Sequence, residues 1–235
     1  MDVRTEEAEP WQFDRRLPLP QQVYADLRRR IISLELIPRA PLSRAELSSH
    51  YQISQTPLRE ALQKLGEEGL VATYPQSRTE VRRIDVAQVF EAQFLRTAVE
   101  IEVVTRLAAD PDQSKLAPAV ETHDRLMLSW ARDQSFQAFS ELDKQFHRDL
   151  YAAAGLSSLI QLLDARCGQL DRVRRLHLQW FNDRKPEKVV KDHQAILDAV
   201  RGCNVESAQQ TMRAHLTGTV GHLDDLRANF PDYFC

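Results

Sequence analysis

Four side chains of the kinds that bind metal ions lie on otherwise apolar helix faces in the second half of the sequence. In "LDKQFHRDLY", residues 142–151, Asp143 and His147 are one turn apart, beside apolar residues at helical spacing. His193 falls within the apolar stripe of "EKVVKDHQAILDAV", and His215 within that of "VESAQQTMRAHLTGTV". Carboxylates and imidazoles are unfavourable to bury without partners. These residues therefore need either hydrogen bonds or a cation.

The residue types and spacing leave three explanations open. A single histidine on an apolar face is more often a hydrogen-bonded core residue than a metal ligand. Three inward histidines and a carboxylate also suit one Zn, Ni, Fe or Mn ion, whose open coordination positions would hold water or an oxygen-rich ligand. The residues thus allow a metal-dependent sensor, a metalloenzyme or a metal-free helical scaffold. A metalloenzyme would need a general base, and the sequence offers no distinctive one.

Charge and composition differ along the chain. Residues 1–19 are acidic and proline-rich, and we expect a flexible tail there. Residues 20–83 carry 10 basic and 7 acidic side chains, whereas residues 84–235 carry 18 basic and 22 acidic ones, so only the middle segment hints at a polyanionic partner.

The N-terminus lacks a secretory apolar segment, and no apolar run is long enough to span a membrane. Three widely spaced cysteines indicate a reducing cytoplasm.

The pattern of residues 20–83 predicts three helices and a hairpin. A first helix is expected at 20–34, a second from the cap Ser43 to about His50, and a third, "QTPLREALQKLGEEG", after the cap Ser54. The strands "LVATY" and "EVRRI" follow. The expected buried stripes are Val23, Leu27, Ile31 and Leu34 in the first helix and Leu58, Ala61, Leu62 and Leu65 in the third. This order predicts a winged helix-turn-helix, whose recognition helix enters the DNA major groove.

Residues 84–235 show helical periodicity throughout. Helices are predicted at about 85–109, 115–132, 135–153, 157–181, 186–201 and 204–228, with breakers such as Pro111, Gly155 and Gly202 between them. Six helices with short links predict a compact antiparallel bundle. The predicted fold class is therefore mainly α: a winged helix-turn-helix followed by an all-α bundle of about six helices.

Seven residues of the first segment are placed to touch DNA. They are Arg44 at the start of the second helix, Ser54, Gln55, Thr56 and Arg59 at the start of the third, and Ser77 and Arg78 at the hairpin tip. Gln can bond adenine, Arg can bond guanine, and hydroxyls can bond bases or phosphates. The alternative is an ordinary solvated helix face, because acidic residues share the third helix.

The stretch "SQTPLREALQKLGEEGLV" closely resembles the recognition-helix signature of the GntR family of bacterial transcription regulators, and the resemblance covers residues 20–83. The family usually has glycine near Glu35 and at the positions of Arg39 and Arg78. We therefore expect these turns to take other geometries, with Arg78 reaching a phosphate or the minor groove. Gln55 replaces a common arginine, so base preference there should differ.

Residues 84–235 resemble the FCD effector-binding domain of FadR-like members of this family. The matching elements are "LRTAVEIEVVTRLAA", "LDKQFHRDLYAAAG", "DHQAILDAV" and "AQQTMRAHL". The resemblance implies a divalent transition metal, with Zn favoured over Ni, Fe or Mn, held by Asp143, His147, His193 and His215. It also implies that Arg96, one turn before Glu100, clamps an effector carboxylate; the alternative is an intrahelical salt bridge.

The two resemblances together predict a ligand-responsive transcription regulator rather than an enzyme. Its expected domains are a tail at 1–19, a DNA-binding domain at 20–83 and an effector-binding and dimerisation domain at 84–235. The expected partners are operator DNA, a small organic or sugar acid, and a second copy of the chain in a homodimer. No membrane partner is expected.

Overall fold

The computed structural model describes residues 11–74, 77–180, 185–218 and 220–235, apart from the side chains of residues 179 and 185. The chain divides into two compact units between Arg83 and Ile84. Each unit has its own secondary structure and is described separately.

The first unit contains three helices and a hairpin. They are α1 (Leu19–Ile32), α2 (Arg44–Tyr51), α3 (Gln55–Glu67), β1 (Val71–Thr73) and β2 (Thr79–Val81). The strands are antiparallel, with Val71 opposite Val81. Both apolar stripes expected from the sequence are buried, and all their residues except Leu34, which lies beyond the end of α1, pack into one core between α1, α3 and the hairpin. The predicted winged helix-turn-helix is confirmed.

Local interactions fix where α2 and α3 begin and end. The Ser43 hydroxyl accepts a hydrogen bond from the amide of Glu46, as the capping pattern predicts, and Gln52 ends α2 in the left-handed conformation. Ser54 occupies the cap position of α3, but its side chain makes no capping hydrogen bond. Instead, the Gln55 side chain donates to the Ser48 hydroxyl at 2.9 Å. This bond joins the start of α3 to α2.

The expectation about the turns that lack glycine is wrong at two places. Leu34, next to Glu35, has φ 63° and Arg39 has φ 67°, so both adopt the left-handed conformation that glycine favours. A β-carbon in this conformation costs about 1–2 kcal/mol. Tertiary hydrogen bonds offset that cost, because the Arg39 amide donates to the Val81 carbonyl at 2.8 Å. The turn keeps its geometry because β2 holds it.

The predicted N-terminal tail, 1–19, falls only partly within the described residues. Residues 1–10 lie outside them. Trp11 and Phe13 pack against the core of the first unit, and the Trp11 ring meets the Tyr51 ring edge-on at 5.3 Å between centroids. The described end of this segment is therefore attached to the first unit by aromatic packing.

The second unit is helical. Its described α-helices are α4 (Val86–Ala109), α5 (Ala117–Asp133), α6 (Phe136–Ala153), α7 (Ser158–Arg166), α8 (Gly168–Trp180), α9 (Lys185–Arg201), α10 (Val205–Thr217) and α11 (Leu223–Asn229). The long helix α4 packs against α8, α9 and α10, and α5 packs against α6 and α9. The mainly α fold class is confirmed. Among the described residues no helix has the length and apolarity to cross a membrane.

The predicted number of about six helices in this unit is too low, since eight are described. The single helix expected at 157–181 is divided, because Cys167 leaves the helical conformation before Gly168 starts α8. The helix expected at 204–228 is also divided. There α10 ends at Thr217, before Gly218, and α11 begins only at Leu223. Glycine has low helix propensity, so both breaks fall where helix continuation is weak.

Capping residues set the ends of two helices that carry candidate ligands. The Ser135 hydroxyl accepts from the Ala138 amide at the start of α6, and Gly155, with φ 70°, follows its end. Asn204 caps α10 by accepting from the Ser207 amide at 2.9 Å. These caps fix the residues at which α6 and α10 begin.

A buried hydrogen bond in the first unit gives a testable consequence. The Tyr51 side chain is fully buried, and its hydroxyl donates to Asp26 Oδ2 at 2.6 Å. We expect Tyr51→Phe to lower the free energy of unfolding of this unit by about 1–3 kcal/mol, because it leaves a buried carboxylate oxygen without its donor. Amide hydrogen exchange in α1 and α2 under increasing urea measures this loss.

Tyr74→Phe is the matched control. Its hydroxyl donates to Glu80 at 3.2 Å on the exposed face of the hairpin, so its removal should cost less than about 0.5 kcal/mol. Equal losses in the two variants would contradict the importance assigned to the Tyr51 hydrogen bond.

Candidate metal centre and nucleic-acid interface

Three helices bring the four metal-ligating side chains expected from the sequence to one place. Asp143 and His147 come from α6, His193 from α9 and His215 from α10. One possible ligand atom from each lies within 4.8 Å of the other three. Each side chain is at most 6% exposed. The cluster is therefore a closed group of polar atoms inside an apolar bundle.

The histidine rings are oriented by acids behind them. The Nδ1 atom of His147 lies 2.6 Å from Glu100 Oε2, and the Nδ1 atom of His215 lies 3.5 Å from Asp192 Oδ2. A carboxylate beside Nδ1 favours a proton on that nitrogen and leaves the lone pair on Nε2. The two Nε2 atoms face each other at 3.2 Å. Two lone pairs at this distance repel unless a proton or a cation lies between them.

Burial keeps the site in the protonation state that suits metal ligands. Desolvation lowers the pKa of His193 to about 3 and also lowers the pKa of His147, so both rings are neutral near pH 7. Desolvation alone would raise the pKa of Asp143, but the positive charge of Arg174 together with the interactions of His193 and His147 outweighs it and holds that pKa well below its usual range. Asp143 thus offers an ionised carboxylate, and His147 and His193 offer neutral imidazoles.

Several polar atoms of the cluster have no hydrogen bond of acceptable geometry. They include Asp143 Oδ1, both ring nitrogens of His193, and the Nδ1 atoms of His147 and His215. The Nε2 atom of His193 lies 3.3 Å from Asp143 Oδ1. Buried polar atoms are rarely left unsatisfied in folded proteins. A cation bound by Asp143 Oδ1 and by one nitrogen of each ring would satisfy Asp143 Oδ1 and the His193 nitrogen that faces it, so the residues present fit a metal ion.

A cavity opens beside the cluster. Its volume is about 490 Å³ when its open mouth is included. Its lining comprises Arg96, Glu100, Lys144, His147, Arg148, Tyr151, Ile160, Leu163, Asp164, Cys167, Asp171 and Arg174. His147 belongs both to this wall and to the candidate ligands, so the cavity adjoins the candidate metal position through this one ring.

Arg96 and Glu100 form the salt bridge that the sequence offers as the alternative to effector binding, and both residues also line the cavity. The Arg96 Nε atom donates to Glu100 Oε1 at 2.5 Å, which is the intrahelical salt bridge. The second oxygen of Glu100 contacts His147, so Glu100 joins the arginine to a candidate ligand. The carboxylate is therefore already engaged by protein groups on both oxygens.

Two residues that were not predicted from the sequence, Arg174 and Tyr151, also belong to this site. Arg174 donates to Asp143 Oδ2 and lines the cavity. Tyr151 had no assigned role, yet it lies one turn after His147 on α6 and also lines the cavity. Its i, i+4 spacing from His147 is a signal that could have found it. The contact between Arg174 and Asp143 depends on how α8 packs against α6, so no local sequence pattern predicts it.

The first unit presents an exposed polar surface around the start of α3. Arg44, Ser54, Gln55, Thr56 and Arg59 are all exposed, as expected for residues that touch DNA. The Gln55 amide, however, donates to Ser48 and to the Arg44 carbonyl. Gln55 must exchange these bonds before it can bond to a base.

The wing places Ser77 and Arg78 on the surface, next to two residues outside the described part of the chain. The Arg78 Nε atom donates to Glu80 at 2.7 Å, and its guanidinium lies over the Tyr74 ring, 4.8 Å from the centroid. The expected reach of Arg78 to a phosphate or the minor groove therefore competes with an ion pair inside the wing.

Family comparisons agree with this two-unit architecture. Residues 19–81 match the model described as "Bacterial regulatory proteins, gntR family", and residues 88–218 match the FCD domain. Together these matches cover most of the chain. The chain belongs to the GntR family of bacterial regulatory proteins and carries an FCD domain after its DNA-binding domain.

Individual relatives support the same conclusion. An HTH-type transcriptional regulator from an unstable DNA locus of Streptomyces ambofaciens is 37% identical, over 91% of this chain and 89% of its own length. The HTH-type transcriptional repressor RspR of Escherichia coli K12 is 30% identical, over 92% and 94%. The solved structure of E. coli McbR/YncC superposes with a TM-score of 0.73 at 18% identity, over 91% and 99%, and shows the same fold.

The protein is therefore a DNA-binding transcription regulator of the GntR and FCD type. The family and these relatives are transcriptional regulators, which confirms the prediction that the chain is not an enzyme.

The exposed side chain of Arg59 allows a test of the DNA surface. We expect Arg59→Ala to weaken specific DNA binding by about 1–3 kcal/mol, because a base-edge or phosphate contact from α3 is lost. Fluorescence anisotropy with an operator selected from the gene's own upstream DNA measures the change. Arg213→Ala removes the same charge from an exposed position on α10 and should leave affinity unchanged. An equal loss in both variants would indicate a general charge effect.

Proposed function

We propose that this regulator senses a small carboxylate through a metal ion held in its FCD domain. The observation that carries the proposal is the approach of the His147 and His215 Nε2 atoms to 3.2 Å, with a carboxylate behind each ring. Without a metal ion or an additional proton, one ring must place its proton on Nε2 and turn an Nδ1 lone pair toward a carboxylate. A cation between the rings removes this conflict.

The chemistry of the donor set limits the identity of the ion. Asp143, His147, His193 and His215 supply one oxygen and three nitrogens, a set suited to a divalent transition metal, with Zn favoured and Ni, Fe or Mn also suited. Glu100 and Asp192 stand behind two of the imidazoles, as carboxylates commonly do in metal sites. Such an ion supplies coordination positions for the oxygen atoms of an effector.

The cavity provides the route for that effector. Its wall includes both His147 and Arg96, so a carboxylate could reach the ion and an arginine together. Glu100 holds Arg96 through Nε, which leaves the terminal nitrogens of the guanidinium as the donors for an effector carboxylate. The role of Glu100 in this proposal is to orient Arg96 and His147, because both of its oxygens already contact them.

The regulatory output in this proposal is a change in operator affinity. Winged-helix regulators of this kind read two half-sites as symmetric dimers, so we propose a homodimer on a pseudo-palindromic operator. Effector binding would then change operator affinity by a coupling free energy of about 1–3 kcal/mol. The exposed residues of α2, α3 and the wing form the proposed contact surface: Arg44, Ser54, Gln55, Thr56, Arg59, Ser77 and Arg78.

Elemental analysis tests the metal site directly. We expect untagged protein, purified without chelators, to carry about one equivalent of a transition metal and to lose it in His193→Ala, because that ring is fully buried within the donor set. Adding metal back to stripped wild-type protein should raise its melting temperature by mass action, and the variant should show no such rise.

His222→Ala is the control, because this imidazole is partly exposed and is not one of the four candidate ligands. It should keep the metal content and the thermal shift of the wild type. If stripped wild-type protein neither rebinds metal nor gains thermal stability from it, the cluster is a metal-free polar core and the sensing proposal is wrong.

A further inference from the structure

Residues 230–235 are bonded to the residue at which the second unit begins. Ile84 is the first residue of that unit and is fully buried. Its amide donates to the Tyr233 carbonyl at 2.7 Å, and its carbonyl accepts from the Cys235 amide at 3.0 Å. Phe234, between these two partners, is 5% exposed and pairs with Ile84 in a parallel bridge. We call residues 230–235 the clasp.

The clasp acts on a short connection between the two units. The amide of Arg82 is bonded within the first unit, because it donates to the Leu70 carbonyl at 2.9 Å. Ile84 is bonded to the clasp, so Arg83 is the single residue between two held positions. The helix α4 begins two residues after Ile84. Without the clasp, the connection would therefore lengthen to residues 83–85.

The clasp packs against α8. The Phe230 ring meets the Trp180 ring edge-on at 4.8 Å between centroids, and α11, which leads into the clasp, also packs against α8. Arg172, in the middle of α8, is fully buried. Burial lowers the pKa of Arg172 to about 10, and the proximity of Cys235 and Tyr233 acts in the opposite direction. The clasp therefore lies beside the middle and the end of α8.

The same helix contacts the candidate metal cluster from its other side. Arg174 donates to Asp143 Oδ2 and lies two residues after Arg172, which places the two arginine side chains on opposite sides of α8. One side of α8 thus contacts a candidate ligand, and the other side contacts the clasp. Because a helix is rigid, a displacement of α8 at one contact also changes the other.

We infer that the clasp restrains the connection between the two units and so helps a dimer to bind both half-sites of an operator, and that α8 links the clasp to the candidate metal cluster. The first part rests on the proposed homodimer, and the second rests also on the proposed metal site. The clasp lies beyond residue 218, outside the part of the chain that matches the FCD domain.

The physical reason is effective concentration. In a dimer held together by its second units, one DNA-binding unit that is already bound keeps its partner near the other half-site. A short, restrained connection confines that partner more closely than a longer one does. Release of the clasp should therefore weaken binding to the whole operator without changing the contacts made at either half-site.

Deletion of residues 231–235 tests the first part, because it removes both backbone bonds to Ile84. Fluorescence anisotropy measures affinity for an operator selected from the gene's own upstream DNA and for a duplex that carries one of its half-sites. We expect the deletion and Phe234→Ala to weaken whole-operator binding by about three- to tenfold and to leave half-site binding unchanged. Phe234→Leu keeps an apolar side chain and should bind like the wild type. Faster amide exchange in a peptide covering residues 82–86 verifies that the clasp has opened.

Leu116→Ala controls for general destabilisation, because Leu116 is buried before α5 and is not part of the clasp. It should not change the ratio of whole-operator to half-site affinity. An unchanged ratio in both the deletion variant and Phe234→Ala, or an equal change in Leu116→Ala, overturns the first part. A wild type that binds the whole operator no more tightly than one half-site rejects the proposed homodimer, and the inference with it.

Zinc alone tests the link through α8. Zinc added to metal-stripped wild-type protein should change whole-operator affinity by about fivefold or more and leave half-site affinity unchanged. The deletion variant should bind the same amount of zinc, since none of the four candidate ligands is deleted, but its whole-operator affinity should not respond. Equal responses in the two proteins, or no response in a wild type that binds zinc, reject the link. A wild type that binds no zinc rejects the proposed metal site, and the link with it.

Discussion

The second unit is organised around the close approach of His147 and His215. Their Nε2 atoms are 3.2 Å apart, and each ring has a carboxylate on its opposite side. The residues involved come from α4, α6, α9 and α10, so one polar cluster joins four helices that also pack together through apolar side chains. Because the bundle interior is apolar, the repulsion between these rings must be relieved locally, and a bound cation is the relief that we propose.

Glu100 connects this cluster to the cavity. One of its oxygens contacts His147 and the other accepts from Arg96, so the position of the arginine and the orientation of the imidazole depend on the same carboxylate. A ligand that moves Arg96 would therefore disturb the metal site, and a change at the metal would alter the arginine. The proposed coupling of effector to metal has a direct physical connection in these two contacts.

Two of the residues proposed to contact DNA are already bonded to other residues of the first unit. Gln55 is bonded to α2, and Arg78 is paired with Glu80, whereas Arg44, Thr56 and Arg59 are exposed. Contacts by the first two residues require exchange of existing bonds, which reduces their net gain from DNA. The exposed residues can contact phosphates and bases without this exchange, so they are the stronger candidates for binding free energy.

The sequence alone determined most of the elements and the directions of their buried faces, but it did not show that two of the expected helices are divided. Apolar periodicity predicted the stripes of α1 and α3 and placed Asp143, His147, His193 and His215 on inward faces, because side-chain direction follows helix phase. Only the tertiary structure decided which charged side chains contact those four residues. Glu100, Asp192 and Arg174 reach the cluster through helix packing, and the left-handed Arg39 is held by a bond to β2. Contacts between helices distant in sequence have no local signal, so the charge balance of the site follows from the fold.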